Sequence, residues 1–393
     1  MPSVLEEDSM TSTYRSASRT LPRTQSQATS LWRNFDYWLL GATMLLVLIG
    51  ILFIRSATLG AVDTDLIGRV SSQITYTFIG LAVVFILASL DYRLLGALQP
   101  YIYGFLLFAL GLVAAVGQLG AAGAQRWLDV GIPVQPSEIG KMLIIIALGQ
   151  HLTKQYQKLD QFKTVIVSLI YVAVPMTFIF LQPNLGNVIA FTVIWFSMIW
   201  GAGLRITHLV IIGLVGLMML PVVWINMQDY QKERILTFVN PEGNKDAQFN
   251  RDQALISIGS GGLLGKGYAN GTQTQGRFLR VRHTDFIFSV IAEESGFVGA
   301  SGVLFLIGFL VMRIARVAAM ARDPLGALIC YGVAGIIAFQ TIVSVGMNLS
   351  ILPVTGLTLP LVSSGGSSLV TLLFGIGLVE SVAMRNKYSE LVG

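Results

Sequence analysis

Residues 37–54 read YWLLGATMLLVLIGILFI, eighteen residues without a charge, closed by Arg55 and Ser56. A run of that length matches the roughly 20 residues that a helix needs to cross the hydrocarbon of a bilayer. Comparable apolar stretches follow at 72–90, 98–117, 139–153, 164–181, 186–202, 207–226, 286–312, 326–348 and 366–384, divided by turn residues or charges. Over 393 residues, 54% are hydrophobic and 12% charged, whereas soluble domains carry about 25% charged residues. The pattern predicts an all-α polytopic membrane protein with ten transmembrane helices, and an even number of crossings leaves both termini on one side.

Working outward, residues 1–35 are rich in Ser, Thr and Arg and poor in apolar residues, and are expected to form a disordered tail ahead of a membrane domain over 36–388. Arg93, Lys154, Lys158, Lys163, Arg205, Arg313, Arg316, Arg322, Arg385 and Lys387 all fall on the N-terminal side of that arrangement. The excess of cations near short cytoplasmic loops then places both termini in the cytoplasm. The net charge of +5 suits anionic lipid, and no nucleic-acid partner is expected. A single cysteine, Cys330, and three histidines give no disulfide framework and no thiolate or histidine metal cluster. Phosphate-binding loop, dinucleotide and HExxH patterns are lacking.

One long polar excursion interrupts the lipid-facing text. Residues 227–284 carry Lys232, Arg234, Lys245, Arg251, Lys266, Arg277, Arg280 and Arg282 and re-enter the apolar phase through His283-Thr284-Asp285-Phe286. The topology puts this loop outside the cytoplasm, with Asp285 at the mouth of a hydrophobic helix. Such a carboxylate can be an N-cap facing the helix dipole. It can also be a general base, since desolvation raises its pKa while neighbouring cations lower it. Glu293 and Glu294 fall deeper and are expected to be paired rather than catalytic.

Other polar residues at membrane depth are candidates because burial there is costly. In Gln135-Pro136-Ser137-Glu138, Pro136 or Ser137 can start a helix on which Glu138 and Lys141 share a face at i, i+3. That pair either fastens helices together or lines a polar cavity, to which Arg126, next to Trp127, adds a cation. Gly259-Ser260-Gly261-Gly262 through Lys266, then Gly271-Thr272-Gln273-Thr274-Gln275, is either a flexible loop or a cradle of free N–H groups for an anion such as pyrophosphate. Residues 348–368 contain Pro353, Pro360 and several glycines, which predicts broken helix. Lipid tolerates that only where the backbone is buried in protein or lines a wet cavity, and Ser363 and Ser364 would offer hydroxyls there.

In this order, QPSE, QPNLG, GSGGLLGKG, GTQTQ, HTDFIFSVIAEESGFVG and LPVTGLTLPLVSSGGSS resemble the SEDS family of RodA, FtsW and SpoVE proteins across residues 36–388. The GTQTQ and PLVS wording is nearer the RodA branch, of cell elongation and rod shape. The resemblance implies a bacterial inner-membrane peptidoglycan glycosyltransferase that polymerises lipid II on the extracytoplasmic side, beside a class B penicillin-binding protein. It implies Asp285 as the catalytic carboxylate and activity roles for Glu138, Lys141 and Arg126. Lys266, Arg282, His283, Gln273, Ser363 and Ser364 are candidate substrate contacts. A divalent cation such as magnesium would suit the pyrophosphate, although no ligand cluster in the sequence argues for one.

Three positions depart from the family's usual wording: Asn184 replaces an Asp, Arg280-Val281 replaces Pro-Glu, and Ser364 replaces the Tyr of SYGGS. The expected reaction is a single inverting displacement giving a β-1,4 link. The rival readings are a lipid II flippase and a non-enzymatic scaffold for the penicillin-binding protein.

Overall fold

A polar residue stands just ahead of several apolar runs, and in the folded chain it caps the helix that follows. Asp36 caps Tyr37–Thr58 by accepting from Leu39 N at 3.1 Å, Asn184 caps Leu185–Gly201, and Asp323, followed by Pro324, caps Pro324–Asn348 at 2.9 Å from Gly326 N. Each side chain satisfies a donor that the first helical turn cannot pair internally. The computed structural model describes residues 32–59, 66, 68–116, 118–119, 125–129, 133–240, 245–279 and 281–386. Most of the expected tail, with Arg280 and Lys387, lies outside the described residues.

Among the described residues, ten helices of 17 or more residues stand at the places of the ten apolar stretches. Seven are long and apolar enough to cross a membrane, and Gln99–Ala115 and Leu185–Gly201 are shorter apolar helices. The tenth, Pro136–Lys154, carries Glu138, Lys141, His151 and Lys154 and is buried among the others along most of its length. Burial sorts the rest: 72% of the Gly366–Ala383 window is buried, against 6% for Ile206–Asn226, where His208 is the one buried residue. Pro136–Lys154 and Gly366–Ala383 are therefore central, and Ile206–Asn226 faces outward.

Two elements run differently from the sequence expectation. The helix expected at 286–312 extends over Ile287–Met320, 34 residues bent at Gly296, because the Ala- and Val-rich turns around Arg313 and Arg316 continue it past the apolar run. The 227–284 excursion is also partly helical, over Asp229–Val239, Lys245–Ser260 and Thr272–Gln275. Three short strands, Gln118–Leu119, Gln125–Asp129 and Pro133–Val134, form a small antiparallel sheet before Pro136.

The two ends of the bundle differ chemically. At the end that holds Asp36, the Asp36 carboxylate pairs with Arg313, and Glu380 accepts from the Asp36 amide at 3.0 Å. Asp323 there receives Arg93 Nε at 2.7 Å and the Tyr92 hydroxyl at 2.8 Å, while Arg385 donates to the carbonyls of Ala88 and Ser89. The opposite end is made of interrupted helices and loops.

The bend at Gly296 is a latch. Gly296 has φ +67°, a conformation that favours glycine. The freed helical groups pair instead with the glycine-rich loop: Phe297 N and Val298 N donate to the carbonyls of Gly262 and Leu263, and Lys266 N and Gly267 N donate to those of Glu293 and Glu294. A Cβ on Gly296 would collide with the backbone of Leu263 and Gly265. Gly296→Ala is expected to lose about 1–3 kcal/mol for the positive-φ backbone alone, and more for the collision. Gly302→Ala, where a Cβ meets nothing within 4 Å, serves as the control. Thermal melts in detergent would show a lower midpoint for the first and none for the second, and equal midpoints would refute the latch.

Candidate functional site

Asp285 stands in the turn before Ile287–Met320, and its backbone is held from two sides. On one, Asn348 Nδ2 donates to the Asp285 carbonyl at 2.8 Å, while Asn348 Oδ1 accepts from Ser289 N at 3.0 Å and Ser289 Oγ at 2.7 Å. On the other, Ser363 Oγ donates to the Thr284 carbonyl at 2.8 Å and Ser364 N to the His283 carbonyl at 3.0 Å. Gln73, buried on Arg69–Ser89, extends this stitching by donating to the Ser363 carbonyl at 3.3 Å and accepting from Gly365 N at 3.4 Å. Val281 begins the turn at φ +53°, a strained conformation for a β-branched residue. It is held there by Thr284 N and Phe286 N, which both donate to its carbonyl.

The Asp285 carboxyl opens into a cavity of about 620 Å³ that is also lined by Glu138, Trp127, Gln340 and Ser364. That volume lies within the ordinary range for small-molecule sites, about 300–1,000 Å³. Helices Arg69–Ser89, Pro136–Lys154 and Gly366–Ala383 all begin around it, and Gln135 N donates to Ser367 Oγ at 3.3 Å between the last two. Helix N-termini present unpaired N–H groups and a positive dipole end, so their convergence favours an anionic group.

Glu138 and Lys141 pair at 2.8 Å, with the lysine side chain only 1% exposed. Lys141 sits behind Glu138 rather than in the cavity wall. It thus compensates the buried carboxylate, which removal of either partner would leave uncompensated. Asn187 Nδ2 donates to Ser137 Oγ at 3.0 Å and ties this helix start to Leu185–Gly201. Asn184, neutral where the family wording has Asp, still caps that helix by accepting from Asn187 N.

The other candidates take different places. Lys266 donates to Ser260 Oγ at 2.8 Å and Thr272 Oγ1 at 2.6 Å and pairs with Glu293 at 3.2 Å. Gln273 gives its amide to Glu293 at 2.8 Å. Both belong to the loop latch, outside the cavity wall. Arg282 is buried and donates through Nε to the Ala57 carbonyl at the end of Tyr37–Thr58. Arg126 lies in the Gln125–Asp129 strand, and its side chain is outside the described residues. Sequence reasoning did not single out Arg69, which lines the cavity, or Gln73 and Gln340, because an isolated polar residue in an apolar run announces no partner; Asn348 opens the stretch expected to be broken helix, but its hold on the Asp285 turn was not legible. Among the described residues no group of three or more metal-ligating side chains forms.

Burial pushes the Asp285 carboxyl up to about 6, which Arg234 and the Thr284 hydroxyl offset only in part. Burial, with Arg69 and Arg282 nearby, pushes His283 down to about 4. Near pH 7 Asp285 is therefore ionised but basic enough to accept a proton, and His283 is neutral.

The family described as cell cycle protein, comprising FtsW, RodA and SpoVE, matches residues 37–388. Peptidoglycan glycosyltransferase MrdB of Escherichia coli K12 is 34% identical over 351 residues, 88% of this chain and 94% of that protein. A chain from a solved peptidoglycan synthase complex, described by its coordination of polymerization and crosslinking, superposes with a TM-score of 0.76 at 32% identity, covering 90% of this chain and 98% of that one. The rod shape determining protein RodA of Thermus thermophilus superposes with a TM-score of 0.66 at 31% identity, covering 91% and 99%.

The raised Asp285 value has a measurable consequence. Because it lies above the ordinary 3.8, ionising this group opposes folding, an effect absent below about pH 4 and complete above about pH 6. Asp285→Asn should therefore melt with the wild type near pH 4 and above it near pH 8. A gap independent of pH would contradict the raised value.

Proposed function

The chain belongs to the family of FtsW, RodA and SpoVE, and on that premise we propose that it is a peptidoglycan glycosyltransferase that polymerises lipid II with Asp285 as its general base. The observation that carries the proposal is the meeting of Asp285 and Glu138 in one cavity where helix N-termini converge. A base, a second carboxylate and an anion-favouring wall are the parts needed to join one lipid-linked sugar to another.

In this reading the pyrophosphate of the donor lies against the converging helix starts, with Arg69 in the same wall. Asp285 takes the proton from the acceptor hydroxyl as that oxygen attacks the donor's anomeric carbon, and the bond to pyrophosphate breaks on the opposite face. One displacement inverts the centre and gives the β-1,4 link. Glu138, oriented by Lys141, faces the same space and positions a sugar hydroxyl. The cavity end is extracytoplasmic, and the end carrying Arg93, Arg313 and Arg385 is cytoplasmic, in keeping with the positive-inside bias. The partner is a class B penicillin-binding protein that crosslinks the strands, by analogy with the synthase complex that the fold resembles.

The test is glycan formation from purified lipid II with the partner present. Asp285→Asn is expected to lose about 10²–10⁴-fold in kcat, the range that general bases contribute, and the wild-type rate should fall below about pH 6 as Asp285 protonates. Equal polymer from both proteins would remove Asp285 as the base. Wild-type protein that made none, yet moved lipid II between leaflets, would support a carrier instead.

In a second comparison, Lys141→Met should lose both activity and stability by stranding Glu138, whereas the double change Glu138→Gln, Lys141→Met should recover stability without activity. Melting and polymer yield, read together, check that separation. A double variant as unstable as the single one would show that the charge pairing is not what matters.

A further inference from the structure

Helix Arg69–Ser89 turns one face to the cavity. Arg69, Ser72 and Tyr76 all line it, and their spacing, i, i+3 and i+7, is that of a single helical stripe. Tyr76 is the aromatic residue of that stripe and is half-buried. Its ring lies on Gly366, where helix Gly366–Ala383 begins: a Cβ added at Gly366 would collide with Cδ2, Cε2 and Cζ of the tyrosine. Phe78, two residues on and so about 200° round the helix, is 69% exposed and faces away. Tyr76 therefore does not belong with the aromatic side chains that anchor helices at a membrane interface.

A second aromatic, Trp127, stands in the same wall and is exposed. Ser364 also lines the cavity, at the position where the family's usual wording carries a tyrosine. This chain has no aromatic at 364 but places one, from a different helix, over the glycine two residues further on.

The surroundings of the ring narrow what can meet it. Ser72 stands one turn before Tyr76, and Ser367 and Ser368 follow Gly366 in the same wall, so a flat apolar face is edged with hydroxyls. A prenyl chain has no use for a polar edge, and a pyrophosphate is repelled by the negative face of an aromatic ring. A pyranose matches both parts: carbon-bound hydrogens make one apolar, slightly positive face, and hydroxyl and amide groups project from its rim. Ligand sites commonly pair aromatic side chains with a few placed polar groups in this way.

We propose that Tyr76 is a sugar-binding residue, its ring packing against the C–H face of a hexosamine ring of the bound precursor, with Gly366 leaving the space in which it lies. The identity of the sugar rests on the glycosyltransferase reading, and the contact rests on the placement of Tyr76 over Gly366 in a wall edged with hydroxyls.

The experiment compares Tyr76→Leu with Tyr76→Phe. Either side chain fills space over Gly366, but only the second presents a ring face. Affinity for purified lipid II is read in the full chain carrying Asp285→Asn, so that no turnover intervenes, and KM is read with Asp285 intact and the partner present. Tyr76→Leu should weaken binding and raise KM about 2- to 12-fold, the range of an aromatic face contact, and Tyr76→Phe should recover most of that loss. Ser364→Tyr added to Tyr76→Leu returns an aromatic to the same corner and should recover part of it. Recovery by neither would overturn the proposal, as would a Tyr76→Leu protein that melts below Tyr76→Phe yet binds equally well, which would make Tyr76 a packing residue.

Lipid II with a shortened prenyl chain should show the same loss, and a loss confined to the full-length chain would assign the ring to the tail and overturn the sugar contact. Weaker binding in Tyr76→Leu beside a wild type that makes no polymer would sink the glycosyltransferase and retain the contact. Polymer from every Tyr76 variant with unchanged affinity and KM would do the reverse.

Discussion

Polypeptide that leaves the helical state near lipid has to satisfy its backbone on protein, because the surrounding hydrocarbon offers neither donor nor acceptor. Two such segments meet here, the turn at 281–286 and the irregular stretch at 349–365, and each supplies partners to the other. Ser363 and Ser364 donate to the carbonyls of Thr284 and His283, and Gln73 and Asn348 close the arrangement from the flanking helices. The position of Asp285 is thus a by-product of satisfying the backbone. The groups that fix it are themselves buried and leave its carboxyl turned toward the cavity.

Charge is handled by the same economy. Glu138 has Lys141 at 2.8 Å, and Glu293 gathers the amides of Gln273 and Thr274 together with Lys266. These carboxylates are compensated, so they orient helices and loops. Asp285 is compensated only in part, and burial leaves its carboxyl more basic than an ordinary aspartate. A stability gain from making Asp285 neutral and the proposed need for it ionised are two faces of one desolvation.

Most of the architecture was legible before any coordinates. Runs of apolar residues divided by turn residues or charges announced the long helices, and Pro353, Pro360 and the nearby glycines announced the broken segment. Asp285, Glu138 and Lys141 were legible because a charge at membrane depth stands out. Lys266, Gln273 and Arg282 were legible as polar but not as to place. Their partners, Glu293 and Ala57, lie about 20 to 225 positions away in sequence, and no local pattern encodes so distant a pairing. Asn348 and Gln340 look alike in the sequence, two amides in one apolar helix, and only packing separates the one that holds the turn from the one that borders the cavity. The helical parts of the 227–284 loop escaped notice because their stabilising contacts are tertiary.

The outward position of Ile206–Asn226, with His208 as its one buried residue, carries an evolutionary consequence. A side chain that touches lipid is selected for hydrophobicity and length of run, not for shape, so Leu, Ile, Val and Met can replace one another along this helix at little cost. Pro136–Lys154 is packed on nearly every side and has no such freedom. Descendants of one ancestral sequence will therefore drift fastest along the outer helix while the central one stays nearly still, and a comparison of many relatives would trace the buried axis of the molecule by its slowness to change.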